Sequence, residues 1–276
     1  MGESNKKKIG FFSATCLAIG TIVGAGVFGT IPSAANLVGS GIEWAYVIAF
    51  LSIIVCYLPQ MITISALPAP FTLYMHATRM VNPTVGYIQV IFGFNYVFIL
   101  SALAGVFAEY AAVYIPIEPK ILAVAALLLF AFITSCGVET NAIAQNVMVV
   151  CLFVALFLYM GFGMPQLKGE LVSLKTILLP ENITLVTMGS AVALLSASLQ
   201  GGVSIAFYPD EIKSPGKTVP RAFIVATAVC CAVFMLASVI TIGVLPMEQV
   251  TSLLDVAKVV LPGGLYHFFI LAGAIF

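Results

Sequence analysis

Apolar residues in this chain come in blocks long enough to cross a bilayer. With about 20 consecutive, mostly apolar residues taken as one span, blocks fall near 9–36, 44–67, 84–112, 121–137, 142–163, 187–209 and 220–245, and an eighth opens near Gly263. Gly161-Phe162-Gly163 with Pro165 marks the exit from the fifth block. Pro165 to Thr187 is the longest polar linker. Met247 to Leu261 mixes apolar and charged positions and predicts a short amphipathic helix on the outer surface. The pattern predicts an all-α polytopic membrane protein, with about seven full transmembrane helices plus the start of an eighth.

Two blocks break their own pattern. The first carries Gly20, Gly24, Gly26 and Gly29, and each interior glycine costs a helix roughly 1 kcal/mol relative to alanine. The sixth carries Gly201 and Gly202 beside the polar Ser196, Ser198 and Gln200. In lipid, backbone groups freed by a break must find partners inside the protein. Four less interrupted spans separate the two, which places them at corresponding positions of two five-span halves. An odd number of spans per half turns the second half upside down. Broken helices in repeat-related positions point to an inverted repeat with a small-molecule site near the midplane, where the breaks meet. The other reading of these glycines is close helix packing of the small-xxx-small kind, and both readings stand at this point.

Composition narrows the class. Hydrophobic residues make up 62% of the 276 positions and charged residues 8%, with mean hydropathy +1.15, against about a quarter charged in soluble domains. Eleven basic and eleven acidic side chains cancel, which removes a nucleic-acid footprint. Cys16, Cys56, Cys136, Cys151, Cys230 and Cys231 lie in or at the ends of apolar blocks, with neither zinc-site nor secreted-disulfide spacing. His76 and His267 have no metal-like partners, so no metal site is expected. Lys6-Lys7-Lys8 precedes an apolar run that continues past Pro32, and reads as the flank of a first span rather than a cleaved signal. A cytoplasmic N-terminus puts Lys6, Lys7, Lys8, Arg79, Lys213, Lys217 and Arg221 inside and Lys120, Lys168, Lys175 and Lys258 outside. That is the bias expected of a multi-pass cell-membrane protein. The chain has no G-x-x-x-x-G-K-S/T phosphate loop and no nucleophile-base-acid constellation in its spans, so neither a primary pump nor an enzyme is indicated.

Three patches resemble the amino acid-polyamine-organocation (APC) superfamily of permeases. GTIVGAGVFG at 20–29 is similar to the family's G-x-I-x-G-S/A-G-I/V-F motif in its broken first helix. Leu67-Pro68 through Tyr74, Arg79, Pro83 and Gly86 is similar to P-x-G-G-x-Y and the R-x-x-x-P-x-x-G that follows. Asp210-Glu211-Ile212-Lys213-Ser214-Pro215 with Pro220-Arg221-Ala222 is similar to E-E-x-x-N-P-x-x-x-x-P-R-A. The likeness covers essentially the whole chain. In departure from the pattern, Phe71-Thr72 replaces the Gly-Gly pair, Ser214 replaces the Asn, and Gly202 stands where many members carry a bulky aromatic. The resemblance implies a LeuT-like five-plus-five inverted repeat. Residues 1–8 would form a cytoplasmic tail, 9–163 the first repeat, 164–186 an extracellular loop and 187–276 an incomplete second repeat. A complete partner would extend on the order of a hundred residues beyond Phe276, so the expectation is a C-terminally truncated permease.

Running outward, the first span breaks near Gly24, so its outer half presents free N–H groups and a positive dipole end, where a carboxylate is stabilised. The resemblance implies that the N–H groups of Ala25 and Gly26 hold a substrate carboxylate. It also implies that the Ile22 carbonyl, with those of Ala197 and Gln200 beside Gly201 and Gly202, faces the ammonium. Ala197 and Gly202 suggest a roomy pocket. Arg79 and Glu211 are candidates for a cytoplasmic gate, with ordinary interfacial charge as the alternative. Glu109, near the outer end of the third span, reads as an interfacial glutamate. No lysine occurs between Glu139 and Gly163, so the fifth-span lysine of some proton-coupled members is absent. The coupling ion, H+ or Na+, stays open, as does the oligomeric state, and no cofactor is expected. The expected function is a secondary active transporter for an amino acid or related amine, rocking spans one, two, six and seven against a scaffold. The alternative is a non-transporting substrate sensor or an inactive permease remnant. The expected partners are the small-molecule substrate and the lipid bilayer.

Overall fold

The computed structural model describes residues 8–23, 26–67, 72–112, 114–135, 138–169, 183–207, 211–246, 250 and 252–275. Among them the chain is helical, with one isolated parallel bridge between Ile9 and Ile212. The helices in order are α1 (Phe11–Ile22), α2 (Gly26–Val38), α3 (Ile42–Ala66), α4 (Thr72–Met80), α5 (Pro83–Gly93), α6 (Asn95–Ala111), α7 (Pro119–Ser135) and α8 (Val138–Gly163). They continue with α9 (Leu185–Leu199), a 3₁₀ segment (Gln200–Phe207), α10 (Pro215–Val244), α11 (Leu253–Val260) and α12 (Gly263–Ile275). Four helical stretches are long and apolar enough to cross a membrane: Gly29–Ile64, Val147–Gln166, Leu185–Phe207 and Pro215–Val244. Within the first of these, Gly39 sits at φ +52, a left-handed conformation that ends α2 and separates it from α3.

Helices begin where the sequence supplies the chemistry. The Asn82 side chain accepts the Val85 N–H ahead of Pro83 at the first turn of α5. Reciprocal capping boxes open α9 at Thr184–Thr187 and α11 at Ser252–Asp255. The third apolar block, read as one span over 84–112, is two helices meeting at Phe94, and the short α4 precedes it. The amphipathic stretch within 247–261 forms α11, which packs on α2, α8 and α10.

The core is centred on α10, which packs on α1, α2, α3 and α8. Small residues let it do so: Ala222, Ala226, Cys230 and Ala237 are fully buried, as are Ala45 and Ala49 on α3. Such surfaces let backbones approach closely where lipid offers no hydrophobic drive between helices. Large apolar side chains at Phe92, Phe98, Leu128 and Phe132 on α5, α6 and α7 face outward, where a membrane supplies their solvent.

The junction into α10 shows what one family departure costs. Ser214 sits at φ 48, the only positive φ at a non-glycine among the described residues. The left-handed region disfavours side chains by roughly 1–2 kcal/mol, with asparagine and glycine best tolerated. The pattern's asparagine at this position therefore has a backbone reason. Ser214→Asn is expected to raise the thermal unfolding midpoint of the purified protein by a stability gain of about 0.5–1 kcal/mol. An unchanged or lower midpoint would count against that account.

Candidate functional site

The two interrupted segments meet. α1 ends at Ile22, where the Val23 N–H still bonds to the Ile19 carbonyl at 2.9 Å, and α2 starts at Gly26. Gly24 and Ala25, the expected centre of the break, lie outside the described residues. The sixth block is interrupted differently. Its α-helix stops at Leu199 and continues from Gln200 to Phe207 as 3₁₀ helix, a tighter winding rather than an extended gap. α1 packs on the 3₁₀ segment and α2 on α9, so the halves of one block lie against the halves of the other.

The seam is closed by glycine. A Cβ on Gly201 would overlap the Thr21 carbonyl oxygen and lie 2.6 Å from its carbon and 2.9 Å from the Ile22 Cα. Only a residue without a side chain lets these two backbones approach so closely. The Thr21 hydroxyl lies 2.9 Å from the Gly201 carbonyl oxygen, 2.9 Å from that of Ala18 and 2.8 Å from the Ser204 hydroxyl. A group from one broken segment thus satisfies a carbonyl freed in the other, as a membrane interior requires.

The remaining predicted residues fall as follows. Ile22 is buried against Gly202. A Cβ at Gly202 would meet Ile22 Cδ1 at 3.0 Å and Phe223 Cδ2 and Thr227 Oγ1 at 3.4 Å. The room expected at Gly202 is therefore filled by neighbouring side chains. Ala197 is exposed. Gln200 caps α9 through its N–H to the Ser196 carbonyl, and its Oε1 accepts the Tyr57 hydroxyl of α3 at 3.2 Å. Gly26 opens α2. Arg79 is exposed at the end of α4, and among the described residues it forms no ion pair with Glu211. The Glu211 carbonyl instead accepts the Ile9 N–H at 2.8 Å. Asp210 lies outside the described residues, as does the side chain of Glu109.

Three polar residues matter here to which the sequence pattern assigns no role of their own. Thr30 on α2 and Ser198 on α9, helices that pack together, bury hydroxyl oxygens that have no partner among the described residues. An unmet buried hydroxyl costs about 1–3 kcal/mol. Glu43, in the first turn of α3, is only 6% exposed. The span bounds at 44–67 leave it just outside, and the sequence pattern singles it out for no role. A shift of two residues in the helix start puts it inside.

Comparison with known proteins follows the same line. The profile of a family described as amino acid permease matches residues 9–275. An uncharacterised transporter of Mycobacterium tuberculosis is 22% identical over 250 residues, covering 88% of this chain and 54% of its own length. The branched-chain amino acid permease of Bacillus subtilis is 22% identical over 281 residues, covering 90% of this chain and 57% of its own. An uncharacterised protein of Methanocaldococcus jannaschii is 24% identical over 288 residues, covering 99% and 65%. The chain spans between about half and two thirds of the length of these relatives.

Proposed function

The chain belongs to the amino acid permease family, within the APC superfamily, and from that membership we propose that the whole protein is a secondary active transporter of an amino acid or related amine. The observation that carries the reading is the meeting of the two interrupted segments at Thr21 and Gly201. Substrate binds beside that seam, with its carboxylate toward the N-terminus of α2 and its ammonium toward the carbonyls of Ile22, Ala197 and Gln200. The unpartnered hydroxyls of Thr30 and Ser198 support a polar ligand between α2 and α9. The pairing of α1 with the 3₁₀ segment and of α2 with α9 is in keeping with a five-plus-five inverted repeat, and the charge bias with a cytoplasmic N-terminus in the cell membrane. Transport follows from rocking α1–α3, α9 and α10 against the other helices.

The full chain, reconstituted into liposomes, is expected to take up radiolabelled amino acids saturably under an imposed ion gradient. Ala25→Leu, which puts a bulky side chain at the break, should lower the initial rate at least several-fold without changing the amount of folded protein. Uptake no greater than in protein-free vesicles would favour the sensor reading. Uptake untouched by Ala25→Leu would return the first-span glycines to a packing role.

A further inference from the structure

Glu43 belongs to no part of the seam, yet it is the buried carboxyl whose surroundings are best defined. It sits between α3 and α10, with Oε1 2.5 Å from the Ser238 hydroxyl oxygen. That hydroxyl is itself 2.8 Å from the Met235 carbonyl oxygen. A serine hydroxyl has one hydrogen. If Glu43 were a carboxylate, Ser238 would face two acceptors with one proton, and one of two short buried contacts would be left without a hydrogen. If Glu43 carries a proton, it donates to Ser238, Ser238 donates to Met235, and both contacts are filled.

Among the described residues no cation pairs with Glu43; the cation placed at this end of α10 is Lys168, whose N–H bonds to the Gly243 carbonyl at 2.9 Å. Two other helices packed on α3, α2 and α9, contain no titratable side chain, and neither does the 3₁₀ segment. On α3 the facing group is Tyr46, one turn on and fully buried, whose hydroxyl has no partner among the described residues. On α10 it is Cys231, whose Sγ lies 3.8 Å from the Tyr46 carbonyl oxygen. The cations of α10, Arg221 and Lys217, lie toward its other end, about 25 Å and about 32 Å from Ser238 at the helical rise. Asp255 and Lys258 are on α11, which packs on α2, α8 and α10, and Asp255 accepts the Ser252 N–H. The helix N-terminus favours a carboxylate, but this is a smaller effect than the loss of water around a buried, unpaired charge. Ionisable groups placed inside spans at such cost mark ion pathways and proton relays.

We propose that Glu43, with Ser238 as its hydrogen-bond partner, is a proton-binding site between α3 and α10, at the end of the helix pair opposite Lys217 and Arg221. The half-buried turn at Gly39 and Ser40 next to it is the route to water on that side. Protonation itself does not depend on the transporter reading. Its link to transport rests on that reading.

The test is an infrared pH titration of the purified full chain. A carbonyl stretch from a protonated carboxylic acid is expected at neutral pH, lost reversibly on alkalinisation and absent in Glu43→Gln. Ser238→Ala, which leaves the carboxyl in place, should keep the band but shift its frequency and its titration midpoint. A neutral-pH spectrum identical in wild type and Glu43→Gln, or a band unmoved by Ser238→Ala, would overturn the site. In liposomes, labelled amino acid uptake should lose its dependence on pH at the Glu43 side in Glu43→Gln, and an unchanged dependence would sink the coupling. A titrating band in a protein that takes up nothing would leave the proton site standing and remove the transporter reading instead.

Discussion

Gly201→Ala is expected to leave little folded protein, with a loss of stability of about 3 kcal/mol or more. Overpacking a well-filled interior usually costs about 1–3 kcal/mol because side chains shift to make room. Here the added methyl would strike the Thr21 carbonyl and approach the Ile22 Cα, both main-chain atoms of a neighbouring helix that cannot rotate aside. Two other glycines calibrate the result. Gly202→Ala meets first the end of the Ile22 side chain at 3.0 Å, which can give, so its cost should be smaller. Gly29→Ala meets nothing within 4 Å on α2 and should gain up to about 1 kcal/mol from helix propensity. Unfolding midpoints of the purified variants should therefore run Gly29→Ala, Gly202→Ala, Gly201→Ala from highest to lowest. If Gly201→Ala melts with Gly29→Ala, the two breaks do not touch as described.

Thr21→Val is the second large effect, and it separates hydrogen bonding from packing. Valine keeps the shape of threonine but removes the oxygen that meets Gly201 and Ser204. It strands a carbonyl and a hydroxyl in the part-buried seam, at about 1–3 kcal/mol for each unmet group. A loss of about 2–3 kcal/mol is expected for Thr21→Val. In the double variant with Ser204→Ala the Ser204 hydroxyl is gone as well, so the two losses should fall short of their sum, by about 0.5–3 kcal/mol for groups in contact. Strict additivity would show that the hydroxyls act independently.

The contrast between these residues and the rest shows where sequence carries structure. Of the predicted spans, those near 44–67, 142–163, 187–209 and 220–245 coincide with helical stretches long and apolar enough to cross a membrane, and they were legible because roughly 20 apolar residues in a row have few uses outside a bilayer. Both breaks were legible because glycine weakens a helix wherever it stands. Nothing local pairs Thr21 with Gly201 and Ser204, some 180 residues away, since their contact follows from how two helices are stacked and not from any period along one of them. Glycine alone could not say whether it admits a ligand or another backbone. At Gly201 it admits the backbone of α1. The change from α to 3₁₀ winding after Leu199 was equally hidden, because both windings accept the same small residues. Glu43 drew no reading at all, because span edges taken from hydropathy are blurred by more residues than decide whether a carboxyl meets water.

The bridge between Ile9 and Ile212 has a mechanical consequence. The Ile9 N–H bonds to the Glu211 carbonyl, and the Lys213 N–H returns to the Ile9 carbonyl at 2.9 Å. Roughly 15 Å from the start of α1, at a rise of about 1.5 Å per residue, the Thr21 hydroxyl meets Gly201. A rod pinned to its neighbour at one point can swivel. Pinned at two, it cannot. The first half of the first span is thus held at one end to the residues that lead into α10 and at the other to the 3₁₀ segment. A tilt of α1 therefore pulls on both of its partners, at Gly201 and at Glu211.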